Sequence, residues 1–175
     1  MKKIAMALAL GMAMAVSGAW AGEDAAKVDA KAAFETLKGL AGEWRPAAGD
    51  ESGRVVYEVV SNGSVVMERQ YPGTSQEMMT LYHMADGELV ATHYCSAGNQ
   101  PRMKLDLAKS KPGHLVFGFV GGTNFDPKKD AFVHDGWIAV KDADHVESEW
   151  VAYHEGGPKG VTHFSLSRIA ATAKP

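Results

Sequence analysis

The sequence predicts an all-β fold: an antiparallel up-and-down β-barrel of about ten strands with one N-terminal helix. Three observations lead there. After Gly53 the chain is a succession of short runs that alternate or are rich in β-branched residues. Nearly every pair of runs is separated by a tight turn signal such as Asp86-Gly87 or Lys111-Pro112-Gly113. Only one segment, ahead of all of them, carries a helical period.

The first segment, residues 1–21, reads as a cleavable export signal. Lys2 and Lys3 precede an apolar run from Ile4 to Val16, and Ala19 and Ala21 occupy the small-residue positions of an A-x-A cleavage site. The run is shorter than the ~20 apolar residues that span a bilayer, so no membrane span is expected and a periplasmic or secreted chain is. Residues 22–41 form an N-terminal segment with the short helix. Phe34, Leu37 and Leu40 recur at helical spacing, with Asp29 as N-cap and Gly39 as stop. Residues 42–170 form the barrel and 171–175 a tail.

The strands expected in order are the short "EWRP", then "RVVYEVV", "SVVMERQY", "QEMMTLYHM", "ELVATHYC", "RMKLDLA", "HLVFGFV", "FVHDGWIAV", "HVESEWVAY" and "VTHFSLSRI". A meander of this kind must hide two edges, and closure removes them. A sandwich needs longer crossing connections than these. A barrel of eight to ten strands leaves room for one small molecule among its inward side chains.

Composition excludes other classes. With 18 Lys and Arg against 21 Asp and Glu the chain is acidic, and it becomes more so if Lys2 and Lys3 leave with the leader. No basic stripe is available to neutralise phosphates, so no nucleic-acid partner is expected. Cys95 is the single cysteine, so no disulfide can form within the chain.

A two-residue hairpin at Asp86-Gly87 sets Thr80 opposite His93 and Met78 opposite Cys95. The face that ends in Met84 and Leu89 is assigned inward, which also turns Thr80, Tyr82, His93 and Cys95 inward. A one-residue slip would reverse this. Leu115, Phe117 and Phe119 share one face. Val146, Ser148 and Trp150 oppose Glu147 and Glu149, which belong in water. On the last strand Phe164 and Leu166 share parity with Arg168, leaving His163 outward.

Trp44, in "GEW" on the first strand, and Arg168, near the end of the last, become neighbours if the barrel closes, and a guanidinium over an indole is favourable. Gly42-x-Trp44 after a short helix, with a late-strand arginine, resembles the calycin superfamily of lipocalins and fatty-acid-binding proteins. The stretches "THYCSAGNQPRM", "GGTNFDP" and "DADHVESEWVAY" are similar to an uncharacterised family of exported bacterial proteins with a lipocalin-like barrel. A more distant resemblance, to nitrobindins, implies haem held by a late-strand histidine, for which His163 is the match in position.

The chemistry-bearing residues have two readings each. His93, Cys95 and Met78 could hold a soft metal, but structural sites usually take four ligands and no second pair is present, so they are read as pocket wall. No G-x-S-x-G, no H-E-x-x-H and no orienting acid beside His93 assembles, so no catalytic residue is assigned and a binding protein is expected ahead of an enzyme. In "SAGNQPRM", Asn99, Gln100 and Arg102 offer recognition groups or merely a solvated turn. "GGTNFDPKKD" lacks a calcium-loop pattern and reads as a flap led by Gly121 and Gly122, with Phe125 and Phe132 as its apolar contacts.

The expected site is therefore Thr80, Tyr82, His93, Cys95, Arg102, Phe117 and Trp150, without metal or obligatory cofactor, in a monomer that binds a small apolar or amphipathic molecule. Two alternatives stand beside it: a haem barrel acting on reactive nitrogen species, and a structural or partner-binding envelope protein with a plugged barrel.

Overall fold

In a computed structural model, which describes residues 27–47 and 53–170, one helix precedes ten strands. The proposed leader (1–21) and tail (171–175) lie outside the described residues. The elements are α1 (Ala30–Lys38), β1 (Gly42–Pro46), β2 (Val55–Val60), β3 (Val65–Gln70), β4 (Met78–Ala85), β5 (Glu88–Tyr94), β6 (Gln100–Leu105), β7 (His114–Thr123), β8 (Phe132–Val140), β9 (His145–His154) and β10 (Gly157–Arg168). Each strand pairs antiparallel with its sequence neighbours, and β1 pairs with β10, so the barrel is closed.

Helix α1 forms for local reasons and is held by tertiary ones. The Asp29 carboxylate accepts from the Ala32 N–H at 2.7 Å, capping the first turn. Ala30, Ala33, Phe34 and Leu37 recur on one face and are buried. That face packs against β4 and β5, so the helix covers the end of the barrel that carries the β4–β5 turn. Asp86 and Gly87 have φ of 50° and 85°, the left-handed pair that a type I′ turn requires. The turn fixes the register, with Thr80 opposite His93 and Met84 opposite Leu89.

Inward positions follow the expected alternation. Tyr82, Leu89, Ala91, Leu115, Phe117, Val146, Trp150, Phe164 and Leu166 are buried, and Trp44 seals the helix-covered end. Burial of one such large apolar side chain is worth roughly 1.5–3 kcal/mol, so this interior supplies the main driving force for closure.

Two boundaries differ from the sequence reading. Strand β6 starts at Gln100 and β7 runs on to Thr123, because Pro101 pairs with Gly122 and Arg102 with Gly121. Gly121 and Gly122 are thus strand residues, and the connection proper begins at Asn124. The extra length is accommodated by a shift in register between Arg102 and Met103, which leaves Val120 without an opposite number.

Candidate functional site

At the end of the barrel away from α1, a cavity of about 80 Å³ remains between the starts of β4 and β9's inner residues. Gln70, Met78, Thr80, His93, Met103 and Trp150 form its inner wall, with Val133 beside them. Tyr71, Thr162 and Phe164 form its rim, where the Tyr71 and Phe164 rings lie 6.1 Å apart. The inner wall is built by register. Tyr57, Glu68, Thr80 and His93 are successive cross-strand partners on β2, β3, β4 and β5, so their side chains form one row across the barrel interior.

Glu68 anchors that row and is only 1% exposed. Its carboxylate accepts from Gln70 Nε2 at 2.9 Å and from the Tyr82 hydroxyl at 2.5 Å, and Tyr57 is its direct partner on the neighbouring strand. Burial raises the Glu68 pKa, opposed by these donors, while burial and the neighbouring carboxylate push the phenols of Tyr57 and Tyr82 well up. An unpaired buried carboxylate would be prohibitive, and the two donors are what make the position tenable.

His93 is held on the other side of the row. Its Nδ1 lies 3.0 Å from the Thr80 hydroxyl, and its Nε2 is buried without a hydrogen-bond partner. Burial depresses its pKa to about 4, so the ring is neutral at neutral pH. One nitrogen of a neutral imidazole donates and the other accepts, so Nε2 is left with the role that Nδ1 does not take with Thr80.

Trp150 supplies the second free polar atom. Its Nε1–H is buried and unpartnered, and the residue lines the same cavity. The ring is seated by its cross-strand partner Gly136, where an added Cβ would lie 2.4 Å from the indole and 2.3 Å from the Glu149 carbonyl. Only glycine admits the indole at this depth. Phe117 packs 6.3 Å from it and 5.6 Å from Tyr82.

Of the residues picked from sequence, Thr80, His93 and Trp150 meet at the cavity. Tyr82 and Phe117 are fully buried beneath it, in the core. Cys95 is half-buried, its Sγ 4.0 Å from Met78 Sδ, one residue back from the lining. Arg102 is exposed on the outer face, opposite Thr92, and does not reach the cavity, because strand alternation turns it away from Met103 and Pro101. Among the described residues no three His, Cys, Asp or Glu side chains are grouped to hold a metal ion.

The flap region is tethered rather than free. Asn99, buried in the β5–β6 turn, donates from Nδ2 to the Ala131 carbonyl at 2.7 Å. Gln100 Oε1 accepts from Thr123 and Asn124 at 2.9 and 2.6 Å. Phe125 packs on Phe132 at 4.5 Å and on Phe119 at 6.1 Å. The stretch "SAGNQP" therefore works as a strut for the β7–β8 connection.

Glu68 and Gln70 do not stand out in the sequence, because charged and strongly polar residues are ordinarily assigned to water. Their parity with Val66, which is fully buried, was the available signal. The haem reading finds no support in the residues present. His163 is exposed on the outer face, its ring 6.0 Å from Trp137, and a cavity of about 80 Å³ has no room for a porphyrin.

Neither protein-family models nor curated proteins give a match to this chain. The class is therefore defined by architecture: a closed ten-stranded antiparallel barrel with one N-terminal helix, consistent with a calycin-like fold.

Proposed function

We propose that this is an exported binding protein that holds one small, mainly apolar molecule in the interior cavity, with its polar end at His93 and Trp150. The observation that carries the reading is that two residues with a buried, unpartnered polar atom, His93 (Nε2) and Trp150 (Nε1), line one cavity. Buried polar atoms are nearly always paired, and a ligand supplies the missing partner. The size of the cavity bounds the occupant. Drug-sized ligands use roughly 300–1,000 Å³, so an occupant of few heavy atoms fits here and a fatty acid does not.

The test is to extract the protein purified from the exported fraction with organic solvent and identify what is released by mass spectrometry. One compound in near-stoichiometric amount is expected, absent from His93→Leu and from Trp150→Phe purified in parallel. Identical extracts from all three proteins would rule the reading out and leave a barrel plugged by its own side chains.

A further inference from the structure

We infer that the cavity selects uncharged ligands: a compact molecule with an acceptor for the Trp150 indole N–H and a neighbouring polar group for His93 Nε2, with carboxylates and ammonium ions of the same shape rejected. This rests on the binding role proposed above and adds the chemical class of the ligand.

Three features of the site lead to it. First, the polar atoms left free are neutral ones, and their residues are more than nine-tenths buried: His93 is 4% exposed and Trp150 7%. A neutral ligand can pair with such atoms without a counter-charge: a hydroxyl both accepts and donates, and a primary amide offers its carbonyl and its NH₂.

Second, no Asp, Glu, Lys or Arg lines the cavity. The nearest acid, Glu68, has both oxygens occupied, Oε1 by Gln70 and Oε2 by Tyr82. An ammonium ion entering the cavity would find no free carboxylate and would face the positive N–H edge of the indole. A carboxylate would find the indole N–H and, in one tautomer, His93 Nε2–H as donors but no Lys or Arg, with Glu68 in the next position of the same wall. Either ion would lose its hydration without a counter-charge, and buried charges are tolerated only when paired.

Third, beside the uncharged polar side chains of Gln70, Tyr71, Thr80 and Thr162, the wall carries a soft apolar part: Met78, Met103, Val133 and Phe164. It suits a short branched or cyclic hydrocarbon body, and methionine adapts to irregular shapes.

Four probes of nearly one shape test the inference: isobutanol, isobutyramide, isobutyrate and isobutylammonium. Each is titrated into the ¹⁵N-labelled protein at pH 7 while the Trp150 indole N–H resonance is followed. That resonance is assigned from its absence in Trp150→Phe. Saturable shifts are expected with isobutanol and isobutyramide, and at least tenfold higher concentrations of the two ions should be needed for the same displacement. If isobutyrate or isobutylammonium saturates the resonance as readily as the neutral probes, selection for neutral ligands is wrong while the cavity remains a binding site. If none of the four moves the resonance, the binding role itself falls, and the selection with it.

Discussion

The guanidinium of Arg168 lies 4.2 Å from the centre of the Trp44 ring, and the two residues are direct partners across the strands that close the barrel. Trp44 in turn donates its Nε1–H to the Leu40 carbonyl at 2.8 Å. Arg168 donates to the Ala41, Gly39 and Ala143 carbonyls at 2.8, 3.1 and 2.8 Å, so one side chain ties the end of α1, β1 and the β8–β9 connection together.

Arg168→Ala should therefore destabilise the protein by about 2–3 kcal/mol, the sum of a cation–π contact and lost hydrogen bonds from a charged donor. Arg168→Lys should recover less than half, since an ammonium cannot fork to two carbonyls while stacking on the ring. Urea denaturation of the three proteins measures both. Equal stability of Arg168→Ala and the parent would show that the latch contributes nothing.

Acidification should weaken the fold through His93. Its pKa falls from 6.5 to about 4 on folding, so the unfolded chain binds the proton more readily. The contribution of this group is fully present above pH 6.5 and is lost progressively toward pH 4, amounting to about 3 kcal/mol. Glu68 acts in the opposite sense: its raised pKa makes the folded state hold the proton, so its contribution declines as pH rises from 4.5 through the folded value. Denaturation midpoints from pH 4 to 7.5 should flatten in the acid range for His93→Gln relative to the parent. An unchanged slope would mean that His93 is not buried neutral.

Glu68 itself should tolerate its amide better than its removal. Glu68→Gln keeps the shape and an acceptor for Tyr82, and a loss under about 1.5 kcal/mol is expected. Glu68→Ala leaves Tyr82 and Gln70 unpaired around a void and should lose about 3 kcal/mol or more. Thermal unfolding distinguishes the two, and equal losses would show that the network matters only as volume.

The β7–β8 connection should become mobile when its strut is cut. In Asn99→Ala the amides of residues 124–130 should exchange hydrogen at least several-fold faster, while Gly121 to Thr123, inside β7, change little. Hydrogen exchange resolved by peptide reads this directly. Unaltered exchange would mean that the packing of Phe125 on Phe132, and not Asn99, holds the loop.

Substituting Gly136 by alanine should push the Trp150 ring into the cavity, since the new methyl has no space against the indole or the Glu149 carbonyl. The parent fold should survive with about 1–3 kcal/mol of strain, and binding of the probe isobutanol should fall at least tenfold. Retained binding would place the occupant elsewhere.

Closure, strand order and the register of the β4–β5 hairpin were legible in the sequence, because each rests on local chemistry. Asp86-Gly87 selects one turn type, that turn fixes which residues oppose each other, and period two then assigns Thr80, Tyr82 and His93 to one face. Trp44 and Arg168 could be paired at a distance because a meander that hides its edges has one way to do so. What only the tertiary structure decided is where charge and volume end up. Glu68 reads as a surface residue until Gln70, from its own strand, and Tyr82, from the next, offer it donors to offset its dehydration. Arg102 reads as a ligand-binding group until alternation along β6 turns it to solvent. The cavity itself is the small remainder after the interior side chains have packed, and a remainder of that kind depends on every ring and methyl around it, which no local pattern encodes.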